Sequence, residues 1–176
     1  MNPRVMRQNF NRALCVASTA VSNPAYADTT VATVRGWEVI RSDTDCNAVS
    51  EFTDGTSLEF GLSLTSKQST LILWNGKWSS IRKDAAYTIT ISFDGADEEE
   101  HSASGMKTAD AGGIFMSFSE YGILPAAMGA KAISIWNGTK FIGKYNLTGS
   151  NAALLAVARC VGKVANTPSA DPFLDR

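Results

Sequence analysis

Tyr87, Ile89, Ile91 and Phe93 alternate with Thr88, Thr90, Ser92 and Asp94. Successive side chains of a strand point to opposite faces, so this stretch reads as a strand with one face buried. Leu58, Phe60, Leu62 and Leu64 alternate likewise with Ser57, Glu59, Gly61 and Ser63. Leu71-Ile72-Leu73-Trp74 is a continuous apolar run, as in a strand covered on both faces. Further strands are expected at Val31 to Ile40, interrupted at Gly36, and at Ile114 to Phe118, Ala132 to Trp136 and Phe141 to Leu147. Asp54-Gly55, Asn75-Gly76, Asp94-Gly95 and Asn137-Gly138 punctuate these runs. Such pairs tolerate the positive φ angles of tight reversals, so antiparallel hairpins follow. The expected fold is mainly β, an antiparallel barrel or sandwich of about six to eight strands.

Two segments depart from the period of two. Ser150 to Gly162 reads as a helix, with Ser150 as N-cap, Leu154, Val157, Ala158 and Val161 on one face, and Gly162 as the stop. Asp94 to Gly113 is polar, carries the acidic run Asp97-Glu98-Glu99-Glu100, and is long enough to be a projecting loop. Glu120 to Lys131, with Pro125, is a short helical turn or a loop. Leu71 to Trp78 echoes Ile133 to Phe141, which we read as a common hairpin sequence met twice.

The first residues carry Arg4, Arg7 and Arg12 and no acid. A short apolar stretch follows, Ala13 to Val21, then Ala25-Tyr26-Ala27 before Asp28. A basic start, a short apolar core and a small-x-small exit is the layout of a secretory signal peptide. Residues 1–27 are therefore expected to be removed, leaving a single β-rich domain over 28–165 with its helix at 150–162 and a loose tail over 166–176. Localisation would be periplasmic or secreted. No stretch approaches the roughly 20 apolar residues that a spanning helix takes, so no integral membrane segment is expected.

Removal of 1–27 leaves thirteen basic residues against seventeen acidic ones, a net charge of −4. That balance offers no electrostatic footprint for nucleic acid. It also removes Cys15 and leaves Cys46 and Cys160 as one possible pair. In an oxidising compartment they are expected to form a disulfide.

The run from Cys46 through Phe52-Thr53-Asp54-Gly55-Thr56-Ser57-Leu58, Leu71 to Trp78 and Tyr87 to Gly95, closing with Leu147-Thr148-Gly149-Ser150 through Cys160, resembles small uncharacterised exported proteins of alphaproteobacteria. It is distantly similar to the invasion-associated protein B type of periplasmic β-domain. The resemblance implies a periplasmic β-rich domain and no enzyme chemistry.

Chemistry-bearing motifs are sparse. The single histidine, His101, sits among Glu99, Glu100 and Ser102, a poor setting for an oriented catalytic imidazole. There is no Gly-x-Ser-x-Gly elbow and no glycine-rich phosphate loop. One histidine and two distant cysteines do not make a zinc set. Asp94, Asp97, Glu98, Glu99 and Glu100 offer oxygen ligands, but their spacing is not that of an EF-hand, and a solvated charge run is the simpler reading. No catalytic residue, metal or cofactor is assigned.

Binding candidates are the turn aromatics Trp78 and Trp136 and the acids Asp97, Glu98, Glu99 and Glu100. Three functional classes follow. The first is a non-enzymatic binding domain of the bacterial envelope, taking a protein, peptide or glycan. The second is a secreted inhibitor or immunity-type protein acting through the acidic segment. The third is a carboxylate-based hydrolase, with Glu38, Glu51, Glu59 and Glu120 as the acids near apolar segments.

Overall fold

The computed structural model describes residues 29–42, 45–63, 66 and 68–165, with side-chain exposure through Lys163. The signal-peptide segment 1–27 and the tail 166–176 lie outside the described residues. Among the described residues ten strands form one antiparallel sheet. They are β1 (Thr29–Val34), β2 (Trp37–Arg41), β3 (Asp45–Glu51), β4 (Thr56–Ser63), β5 (Gln68–Asn75), β6 (Ala86–Phe93), β7 (Glu99–Lys107), β8 (Gly112–Ser119), β9 (Ala132–Asn137) and β10 (Lys140–Asn146). A short helix, α1 (Leu124–Gly129), precedes β9, and α2 (Ser150–Ala165) closes the fold.

The sheet order is β1-β2-β3-β4-β5-β8-β7-β6-β9-β10. The mainly-β antiparallel class and the C-terminal helix are as expected; the ladder is open, with β1 and β10 at its ends. The strand number exceeds the expected range. Val31 to Ile40 is two strands, because Arg35 (φ 51°) and Gly36 (φ 86°) make a tight hairpin turn. Asp54-Gly55 and Asn137-Gly138 make hairpins between β3 and β4 and between β9 and β10. Asn75-Gly76 does not, so the echo between the two Asn-Gly segments is not two hairpins. A connection of ten residues, 76–85, leads instead from β5 to β6.

Inward positions supply the core. Leu58, Phe60, Leu71, Leu73, Ile89, Ile114, Met116, Ile133 and Ile135 are all buried. The 76–85 connection straps across the sheet where β7 and β8 pair. A Cβ on Gly105 would strike the Arg82 carbonyl, so only glycine admits this approach.

Helix α2 lies over β1 to β4 and against α1. Its buried face is Ala153, Leu154, Val157, Cys160 and Val161, a helical spacing that leaves the expected Ala158 exposed. The helix continues past Gly162 to Ala165. Ser150 does not act as an N-cap, because its Oγ donates to the Ala127 carbonyl at 2.7 Å and ties α2 to α1. Cys46 of β3 and Cys160 of α2 are disulfide-bonded, across 114 positions of sequence. No described helix is long and apolar enough to cross a membrane.

The end strand β10 meets β4, well inside the sheet order, through side chains. The Tyr145 hydroxyl donates to Thr56 Oγ1 (3.3 Å), which also accepts from Asn75 Nδ2 (3.0 Å) and donates to Asp54 Oδ2 (3.0 Å). Burial pushes the Tyr145 phenol above its ordinary value of 10.0, the Thr56 bond opposes this, and Asp54 adds to the rise. A raised phenol pKa means that the fold prefers the neutral hydroxyl. Stability is then full below about pH 10, where both states are protonated, and falls above it as the unfolded chain ionises first. Thermal unfolding from pH 8 to 11.5 should show a steeper alkaline decline in the native protein than in Tyr145→Phe.

Candidate cleft between β7 and β8

The sheet parts on one side of its middle. β7 pairs with β6 along Glu99 to Ser104, and β8 pairs with β5 along all of Gly112–Ser119. β7 and β8 pair with each other only over Ser104–Lys107 and Gly112–Phe115. Beyond that point Glu99–Ala103 and Met116–Ser119 diverge, and a cavity of about 610 Å³ opens between them. Its size falls within the range of ligand sites.

The floor is apolar. Ile91 and Phe93 of β6, Phe118 of β8 and Ile123 before α1 line it. His101 and Phe118 meet edge to face beneath the gap, ring centroids 5.0 Å apart. Polar groups stand around that floor: Asp97, Glu99, Ser117 and Ser119. His101 Nε2 is buried with no hydrogen-bond partner among the described residues, and the Glu99 carboxylate lies 3.5 Å away. Ser69, in register with Phe118, is fully buried and stands outside the cavity lining. Ser92 Oγ is already committed, donating to the Ala96 carbonyl at 2.7 Å.

The projecting loop expected over Asp94 to Gly113 is therefore corrected: most of it is β7 and the start of β8. Period two divides the acidic run. Glu99 shares the inward side with His101, Ala103 and Gly105, whereas Glu100 alternates with them onto the outer side. Asp97 lines the cleft; Glu98 and Glu100 are exposed and stand outside its lining. His101, expected in a flexible acidic loop, is instead held on a strand and half-buried.

Asp94 is not a free oxygen ligand. It sits with Gly95 in a turn of positive φ, 53° and 76°, closed by the Ala96 amide on the Phe93 carbonyl. Its carboxylate accepts from the Lys131 and Ala132 amides at 2.8–3.0 Å, anchoring the approach to β9 beside the end of β6. Among the described residues no three His, Cys, Asp or Glu side chains are grouped to hold a metal ion.

No protein-family model, curated protein or solved structure matches this chain.

The two tryptophan candidates do not converge on the cleft. Trp78 lines a separate hollow of about 190 Å³ with Ile81, Tyr87 and Phe141. Trp136 is half-buried on the face opposite Ile133 and Ile135, its ring 5.4 Å from that of Phe141. Of the acids near apolar segments, Glu38, Glu51 and Glu120 are exposed, and Glu59 is half-buried on β4. None of these four lines the cleft.

Sequence reasoning missed Phe93, Ser117, Phe118, Ser119 and Ile123 as site residues. Their convergence depends on β8 lying between β5 and β7, a crossover that no local pattern announces.

Proposed function

We propose that this chain is an exported binding domain of the bacterial envelope, which holds its ligand in the β7–β8 cleft without chemically altering it. One observation carries the reading: β7 and β8 part to leave a ligand-sized cavity with an apolar floor, lined also by His101, whose Nε2 has no hydrogen-bond partner among the described residues. Apolar area supplies affinity in such sites, and a few placed polar groups supply orientation. A catalytic reading draws no support from the polar groups present. His101 has Glu99 and Phe118 as its contacts, and no described serine hydrogen-bonds it. Export is supported by the basic-apolar-small pattern of residues 1–27 and by the Cys46–Cys160 bond.

The test is retention of an envelope component by immobilised domain. Ala126 lies on the exposed side of α1 and lines the cavity, so Ala126→Trp fills the cleft from a surface position. One stoichiometric component should be held by the native domain and lost by Ala126→Trp, with unfolding temperature unchanged. Equal retention by both proteins, or hydrolysis of an envelope polymer by the native domain, overturns the reading.

A further inference from the structure

We infer that the occupant of this cleft is an extended polypeptide, added as a strand between β7 and β8, with basic side chains directed to Asp97 and Glu99. The inference rests on the cleft being the binding site, and deepens it by naming what binds.

Three observations on the backbone carry it. First, the strand edges beside the cleft, Glu99–Ala103 of β7 and Met116–Ser119 of β8, lack partners on the facing side among the described residues, and Glu99, His101 and Ser117–Ser119 of them line the cavity. Alternate residues of a strand direct their amide and carbonyl groups to each edge, so both walls present donors and acceptors to a guest chain. Second, both walls are regular. Register runs unbroken along β6–β7 and β5–β8. Third, the outer edges of the same sheet are not regular. β1 carries a bulge between Thr30 and Ala32, and β10 carries one between Phe141 and Gly143, flanked by Lys140 and Lys144. Bulges and lysines are how sheets discourage edge pairing. The two outer edges are protected against a new strand, and the two inner ones are left straight and open.

Side chains fit the same guest. A strand laid in the gap would place alternate residues over the His101–Phe118 floor. The carboxylates of Asp97 and Glu99 line the cavity, with His101 as the nearest imidazole, so the rim favours a cationic guest residue over an anionic one. Main-chain pairing would supply affinity and the alternate side chains specificity, as in strand addition generally.

The test titrates the isotopically labelled domain with three capped nonapeptides and follows its amide resonances. One alternates lysine and valine, one alternates glutamate and valine, and the third is the lysine peptide N-methylated at every second residue. The lysine peptide should shift amides of Glu99–Ala103 and Met116–Ser119 and slow their hydrogen exchange. N-methylation, which removes donors from one edge, should weaken binding roughly tenfold or more, as several hydrogen bonds of this class are lost together. The glutamate peptide should bind roughly threefold or more weakly, a gap that shrinks with added salt. Equal affinity of the N-methylated peptide, or shifts confined to residues outside the two walls, overturns strand addition. If the lysine peptide fails while Ala126→Trp still releases the retained envelope component, strand addition falls and the cleft stands. If Ala126→Trp releases nothing, the cleft itself falls.

Discussion

Reducing the Cys46–Cys160 bond, or replacing both cysteines with alanine, should lower the stability of this domain by about 4–5 kcal/mol. The magnitude follows from the 114 positions between the two residues. In the chain-entropy account a crosslink removes freedom from the unfolded chain, and a loop of this length gives a value near the upper end of the usual range. Domains of this kind are held by only about 5–15 kcal/mol in total, so the bond is a large share. The folded side of the balance points the same way. Cys46 is fully buried on β3 and Cys160 is 7% exposed on α2, and the helix they anchor covers β1 to β4. Calorimetry of the oxidised and reduced protein should show the unfolding temperature falling by roughly 10–20 °C. A loss below about 1 kcal/mol would mean that the reduced, unfolded chain stays as confined as the crosslinked one.

The fold class was legible because the strands with large inward residues announce themselves. β4, β6 and β9 bury Leu58 and Phe60, Ile89 and Ile91, and Ile133 and Ile135, so their period of two stands out. β3 and β7 were not seen, for one physical reason. Their buried positions are small because another element presses on them. Cys46 and Ala48 of β3 lie beneath α2, and Gly105 of β7 lies against the Arg82 carbonyl. A hydrophobic period cannot appear where close packing demands alanine, cysteine or glycine.

The cleft was legible only as a cluster of charge. Asp97 and Glu99 were singled out for their acidity, but Phe118 and Ile123 come from β8 and the segment after it, brought alongside by the β7–β8 hairpin. The missing pairing between Glu99–Ala103 and Met116–Ser119 is a property of sheet topology and leaves no mark on either strand. Turn chemistry was similarly incomplete. Asn75 has the residues of a hairpin turn, but its side chain is spent on Thr56 and on the Lys77 amide, and the chain continues into the strap.

Trp37→Ala should cost about 3–5 kcal/mol. Trp37 opens β2, is 2% exposed, and packs its ring 6.0 Å from that of Phe60. Its Nε1 donates to the Thr148 carbonyl at 3.2 Å, 111 residues away. The neighbouring Gly149 adopts φ +93°, and a Cβ there would come within 2.9 Å of the Arg35 carbonyl and 3.4 Å of the Trp37 ring. The turn before β2 and the connection from β10 to α2 are thus pressed together over this one side chain. β1 and β10, the outermost strands of the sheet, share no ladder, so the fold is drawn shut at Trp37 and at the Tyr145–Thr56 contact. Trp37→Phe keeps most of the ring and loses the donor, leaving the Thr148 carbonyl to solvent, and should cost about 1–2 kcal/mol. Urea unfolding of both variants separates the two contributions. If the alanine variant lost no more than the phenylalanine variant, packing at this position would carry no weight, and the curl of the sheet would have to be held by its backbone twist alone.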